Sequence, residues 1–225
     1  MEKVAKGEQT RQLIVDTALR LFQENGFDRT TMRAIAKEAG VSVGNAYYYF
    51  SSKEHLIQGF YDRMVAAHSE VSERILLEED DFTVRLRGVL LAWLDVSQPF
   101  HEFATQFFKN AADPTSPLSP FSAESGTARE AGIELHRRIL EGSTMKVDPE
   151  LRDDLPDLLW LYQMAIVLFW VHDRTADGAT TRMLVNRSAP LVGKLLGLSR
   201  LRVFRSVTRE AVHLFRDIGW FTRRP

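Results

Sequence analysis

Residues 31–50 read TMRAIAKEAGVSVGNAYYYF. Two short helical patterns meet at Gly40 in this stretch. Met32, Ile35 and Ala36 form the inward stripe of the first. Thr30 or Thr31 can cap its start. Gly40 stops it, because the turn needs a backbone that a β-carbon would hinder. Ser42 can cap the second helix, from Val43 to Tyr49, with Ala46 and Phe50 left to hold it to a core. A short helix, a brief turn with glycine and a second short helix make a helix-turn-helix. The second helix is polar and aromatic on its other face, with Ser42, Val43, Asn45, Tyr48 and Tyr49. A helix of this width fits the major groove, where side chains at its N-terminal end touch base edges. Successive helical residues lie ~100° apart. Tyr47, Tyr48 and Tyr49 therefore cannot all face one core, and at least one should be exposed.

The flanks agree. Upstream, Ile14, Ala18, Leu21 and Phe22 make one stripe of a helix that Asn25-Gly26 ends. Downstream, Ser51 or Ser52 caps the next helix, and with Ser51 as cap Ser51-Ser52-Lys53-Glu54 reads as a capping box, Glu54 standing three positions on. Residues 29–53 hold Arg29, Arg33, Lys37 and Lys53 against Glu38 alone, a local net charge of +3 in a chain whose total is −1. Such a patch suits a phosphate backbone. Lys53 opens the helix after the motif, where free N–H groups also favour an anion.

The remainder reads as all-α, since alternating strand patterns are nearly absent. A long helix is expected from about residue 52 into the 70s, then an acidic turn at Glu78-Glu79-Asp80-Asp81. Helices follow over 82–96 and from Pro99 through the next dozen residues. A proline-bearing loop covers 110–126. Further helices are expected over 121–142, 156–174, 178–197 and 199–217, the last capped by Ser199. Residues 158–171 are apolar nearly all round, so that helix must be covered on more than one side. Ser188, Ala189 and Gly193 permit close helix approach, and Pro190 should bend or end its helix.

Composition narrows the function classes. The 225 residues are 44% hydrophobic and 26% charged, which is ordinary globular usage. With 0 cysteines, disulfides, thiolate catalysis and thiolate metal sites are excluded. His101-Glu102 opens like a zinc-protease motif, but Thr105 stands where a second histidine is required. His172 and Asp173 are adjacent and project in different directions. No phosphate loop or nucleophile elbow appears. No catalytic residue, metal ligand or cofactor is therefore expected, and the chain reads as a non-enzyme. The charged N-terminal stretch lacks the apolar core of a signal peptide. The 158–171 run falls short of the ~20 residues of a membrane span. A cytoplasmic protein without membrane contact is expected. The arginine-rich stretch 199–225 reads as a solvated helix face.

The pieces TTMRAIAKEAGVS, YYYF and SSKEHLI, within residues 11–56, resemble the transcriptional repressors of the tetracycline-repressor (TetR) family. The resemblance implies an N-terminal three-helix helix-turn-helix domain, residues 1–53, and a larger helical ligand-binding and dimerisation domain, residues 54–225. It implies that Thr31 contacts a phosphate and that Arg33 reaches a base edge or phosphate. Val43, Asn45 and Tyr48 would read bases, beside Ser42. Tyr47 would contact the backbone, Tyr49 stands where the family often has histidine, and Lys53 would bind a phosphate. Ala46 departs from the family's larger core residue, and apolar Val43 would read a thymine methyl. The family dimerises through its last helices, for which 156–174 and 178–197 are the candidates. Its remaining helices enclose an effector pocket, for which Trp93, Phe103, Phe107, Trp160, Gln163, Met164 and Trp170 are the candidates. The partners implied are a palindromic double-stranded DNA operator, a second copy of the chain, and a small, largely apolar effector that releases the DNA. A regulator without a small-molecule effector and a helical-bundle enzyme are the alternatives.

Overall fold

The computed structural model describes residues 2–113 and 115–199 and the single positions 210, 214 and 217. The expected 199–217 helix and the C-terminal arginine-rich stretch lie almost wholly outside the described residues. Among those described there are ten α-helices and no strand: α1 Glu2–Asn25, α2 Met32–Glu38, α3 Val43–Tyr49, α4 Lys53–Glu78, α5 Phe82–Ser97, α6 His101–Ala112, α7 Gly126–Glu141, α8 Pro149–Arg152, α9 Leu155–His172 and α10 Ala179–Leu198. The chain forms two compact units. The first holds residues 1–66 and 99–129, the second 67–98 and 130–225, with α4 running from one into the other. This division by packing differs from the boundary at residue 53 expected from the sequence, because α6 packs with α1 and the loop after it is bonded to Gln58 and Tyr61 of α4.

The first unit is built on the stripe of α1. Ile14, Val15, Ala18 and Phe22 are buried with Met32, Ile35 and Ala36 of α2, Ala46 of α3, Leu56, Ile57 and Phe60 of α4, and Phe103 and Phe107 of α6. α1 ends where Gly26 takes φ +83° and bonds its N–H to the Phe22 carbonyl at 2.9 Å. The buried Thr30 hydroxyl donates to Gly26 O at 2.8 Å. α6 and the loop after it close the unit, with Tyr61 donating to Leu118 O at 3.2 Å and Gln58 to Pro117 O at 2.8 Å.

The second unit packs α5 against α10, with α7 and α9 completing its core. Phe82, Leu86, Val89, Leu90 and Leu94 of α5 are buried with Leu159, Ile166, Val185, Ala189 and Leu196. The small residues of α10 serve this contact: a Cβ on Gly193 would collide with Thr83 Oγ1 and meet Phe82. Asp81 caps α5, accepting from Val84 N at 2.9 Å. The buried Arg85 guanidinium donates to the carbonyls of Glu79, Arg138 and Gly142, tying the start of α5 to the end of α7.

Of the two serines that could cap α4, Ser52 does so: its hydroxyl accepts from His55 N at 3.3 Å, and the His55 ring lies 2.8 Å from Ser51 Oγ. With Ser52 as cap, His55 takes the third position in place of Glu54. Of the two outcomes expected at Pro190, a bend or an end, the second does not occur, since α10 continues to Leu198. Its ring is accommodated within a helix whose neighbouring turns are held by burial of Ala189 and Gly193. At 18 residues and a mean hydropathy of 1.3, α9 is long and apolar enough to cross a membrane by length and composition alone. What sets it apart from a span is packing, since half of it is buried inside the fold.

Candidate nucleic-acid interface and effector region

Side-chain caps define both short helices of the motif. Thr31 Oγ1 accepts from Ala34 N at 3.2 Å at the start of α2, and Ser42 Oγ accepts from Asn45 N at 3.1 Å at the start of α3. Between them Gly40 takes φ +67°, and Val41 N donates to Ala36 O at 3.0 Å. Arg20 of α1 pairs with Glu38 at the end of α2 at 2.6 Å, which ties the two helices at the surface.

α3 is anchored by its back. Ala46 and Phe50 are buried, and everything else on the helix except Tyr49 is exposed. Exposure reaches 81% for Tyr48, 50% for Tyr47 and 38% for Val43. Large apolar and aromatic groups left in water on a rigid short helix mark a contact surface. Ser42 and Asn45 lie on the same exposed side, and Thr31 and Arg33 are exposed on α2. Tyr49 differs. It packs against the first unit's core, meets Tyr48 edge-on at 5.2 Å between centroids, and holds its hydroxyl where a Cβ on Gly7 would touch it at 3.6 Å. Tyr49 therefore props Tyr48 outward.

Lys53 is half-buried. Its ammonium donates to Phe27 O at 2.7 Å and lies 4.4 Å from the centroid of the Phe27 ring. It thereby ties the turn after α1 to the first residue of α4 while keeping a cation at that end of the helix.

The seven effector-pocket candidates fall in two places. Phe103 and Phe107 belong to the first unit's core. Their rings stack at 5.3 Å, Phe103 meets Phe60 edge-on at 5.8 Å, and Phe107 meets Phe27 at 5.4 Å. Trp93, Trp160, Gln163, Met164 and Trp170 belong to the second unit. There the Trp93 and Trp170 rings meet edge-on at 5.1 Å, and Trp170 Nε1 donates to Gln98 Oε1 at 3.0 Å. Trp160 lies directly on α7, its indole 2.9 Å from the place a Cβ on Gly132 would occupy. Trp160 and Gln163 are buried and Met164 is half-buried.

Sequence reasoning passed over the second unit's buried histidines. His68 on α4 places Nε2 2.9 Å from Val89 O, and His136 on α7 places Nδ1 2.8 Å from Gly132 O. Burial pushes both imidazoles down, His136 to about 4, with His68 as a further electrostatic cause for His136. Isolated histidines in apolar helical patterns carry no spacing signal that could have found them. Among the described residues no group of three or more histidine, aspartate and glutamate side chains is placed to hold a metal.

An all-helical molecule with a capped helix-turn-helix, an exposed aromatic reading face and a separate helical unit has the build of a DNA-binding regulator. The family model for bacterial regulatory proteins of the tetR family matches residues 14–59, and the model for the tetracyclin repressor-like C-terminal domain matches residues 85–214. The chain belongs to the TetR family. Its curated relatives include the HTH-type transcriptional regulator TtgR of Pseudomonas putida, 32% identical over 33% of this chain and 36% of that protein. The HTH-type transcriptional regulator UidR of Escherichia coli is 43% identical over 24% of this chain and 27% of its own length. The matches thus span only about a third or less of those relatives. Among solved structures, the TetR regulator of Nitrosomonas europaea covers 80% of this chain and 96% of its own at a TM-score of 0.62 and 19% identity. Thermus thermophilus FadR, a transcriptional repressor in complex with lauroyl-CoA, covers 80% and 93% at 0.58 and 24%. At these identities the likeness is one of fold.

Proposed function

We propose that this protein is a cytoplasmic transcriptional repressor, and not an enzyme, that binds a palindromic operator as a homodimer and leaves it when a small, largely apolar effector binds. The observation that carries this is the buried back and exposed aromatic face of α3, within the segment the family's DNA-binding model matches. Residues 1–53 are taken as the DNA-binding part and 54–225 as the part for effector and partner.

Val43, Asn45 and Tyr48 are the base-reading side chains, with Val43 suited to a thymine methyl. Thr31, Arg33, Ser42, Tyr47 and Lys53 contact the backbone, and Tyr49 positions Tyr48. A single reading helix makes few contacts, and two half-sites are the usual source of specific affinity. The apolar faces of α9 and α10 support a second copy: Leu168, Phe169, Leu191 and Leu195 are all exposed in the single chain.

The effector would bind in the second unit, around Trp93, Trp160, Gln163, Met164 and Trp170. Phe103 and Phe107, the other two candidates from the sequence, are packed in the first unit's core instead. α4 begins with Lys53 at the DNA end and continues into the second unit. A ligand that favours another position of α4 changes the spacing of the two reading helices, which DNA holds near ~34–36 Å. Its differential affinity then appears as lost operator affinity, and DNA weakens ligand binding equally. A gel shift against random palindromes, repeated with a panel of apolar compounds, tests this. Shifted DNA that one compound releases is expected. A shift that no compound alters would favour a regulator without a small-molecule effector, and substrate turnover with no shift would favour an enzyme.

A further inference from the structure

The chain passes between the two units three times: inside α4 after Ala66, in the short turn after Gln98, and inside α7 after Arg129. Two of these crossings are unbroken helices, which carry a displacement along their length as stiff elements. Within the first unit the same two helices are bonded to each other. Gln58 of α4 spends both amide hydrogens on the segment that opens α7: Nε2 donates to Pro117 O at 2.8 Å and to Ser125 Oγ at 3.2 Å. A carbonyl oxygen only accepts, so the amide nitrogen must stand on that side. Ser125 is buried and immediately precedes α7. Its carbonyl accepts from Arg129 N at 2.9 Å, the first bond of the helix. The Arg129 guanidinium donates back to Pro120 O at 2.9 Å and Ser122 O at 2.8 Å. The loop and the first turn of α7 are thereby fastened together, and Gln58 holds both on α4.

Further along, in the second unit, α7 carries Gly132. The Trp160 indole lies 2.9 Å from where a Cβ on Gly132 would stand, so Trp160 rests against α7 where any side chain would block it. Trp160 is among the residues assigned to the effector. From Gly132 back to Ser125 is roughly 10 Å of helix, and from Gln58 back to Lys53 roughly 8 Å. We propose that the Gln58–Ser125 hydrogen bond couples the two functions of this regulator: a displacement of α7 at Trp160 reaches α4, and with it the reading helix, through Gln58. The proposal rests on the DNA and effector readings above and names the residue pair that joins them. Tyr61, the neighbouring tie on α4, donates to Leu118 O at 3.2 Å and so fastens the loop well short of α7.

Hydrogen exchange of the full chain, with and without a duplex that it selects from a random library, tests this. Coupling is reciprocal, so DNA bound at α3 must be felt at α7. On adding the duplex, amides of residues 130–141 are expected to change their exchange rate by about fivefold or more, the lower end of ordinary coupling. Q58A and S125A should each still bind the duplex and each lose that change. Y61F, which cuts a bond to the loop alone, should keep it. S125A removes a single hydroxyl and decides the matter if Q58A does not fold. A change that persists in either variant, that is missing from the unsubstituted protein, or that Y61F also abolishes overturns the proposal and leaves the reading of α3 standing. Loss of duplex binding by both Q58A and S125A does the same. Selection of no duplex overturns the reading of α3, and the proposal with it.

Discussion

The two units use aromatic side chains in opposite ways. In the first, Tyr47 and Tyr48 stand in water on α3 while phenylalanines of α1, α4 and α6 fill the core beneath. In the second, Trp160 and Trp170 are buried, while α9 and α10 expose Phe169 and the aliphatic side chains Leu168, Leu191 and Leu195. A contact surface that must read many similar sites needs rigid side chains with a polar tip, which tyrosine supplies. A surface that meets one fixed partner can be plain hydrocarbon. The contrast matches the proposed division into a DNA face and a protein face and gives each its own mode of failure.

The largest effect is expected from the protein face. Phe169→Glu with Leu195→Glu places charges in the proposed dimer contact. Specific operator affinity should fall toward the non-specific level, a loss of about 4–10 kcal/mol if both half-sites are needed. Light scattering should show a monomer of unchanged helicity. A dimer that persists would move the partner contact elsewhere. Next comes the first unit's core. Phe60 meets Phe100 at 4.9 Å and Phe103 at 5.8 Å, and Phe60→Ala should cost about 3–5 kcal/mol in denaturant unfolding. A change under about 1 kcal/mol would mean that the cluster is not the structural base of α3.

Smaller effects sharpen the DNA face. Tyr48→Ala should leave thermal stability unchanged and cost about 1–3 kcal/mol of operator affinity, concentrated at one base position. Tyr47→Phe with Lys53→Ala should instead weaken binding to every sequence alike and flatten its salt dependence. The lysine change should also lower the melting temperature, because Phe27 O loses one of its two donors and keeps only Thr30 N. The smallest effect concerns pH. Burial acts to raise the Asp173 carboxyl, but donors from Thr175 and Thr181 outweigh it and hold the group at about 2. A depressed carboxyl stabilises the fold above its unfolded value of ~3.9. That contribution should fade as the pH falls toward 2. In Asp173→Asn, melting temperature should vary less over that interval.

The sequence made the helix-turn-helix, and with it the proposed DNA face, legible because local rules govern it. Thr31 and Ser42 cap the helices as expected, Gly40 takes its left-handed turn, and Ala46 and Phe50 are buried. The caps and the turn depend on neighbours within a few residues, and the burial of Ala46 and Phe50 follows from their place on the back of the short helix they anchor. What escaped depended on distant partners. An apolar stripe on α6 says that Phe103 and Phe107 are buried, but not that Phe22, Phe27 and Phe60 bury them. The small residues of α10 read as a helix-contact face, and only the fold shows that Gly193 meets Thr83 of its own chain. The short α8 rests on Asp148, which accepts from Glu150 N at 3.0 Å, a cap too brief to carry a periodic pattern.

Selection of duplexes from a random library by the full-length protein tests the central claim most directly. The expected result is an inverted repeat whose half-site centres lie about one helical turn apart, with enrichment that Tyr48→Ala alters at a single position of each half. Enrichment of nothing, or of a lone half-site indifferent to Tyr48, would contradict the assignment of α3 as the helix that reads DNA.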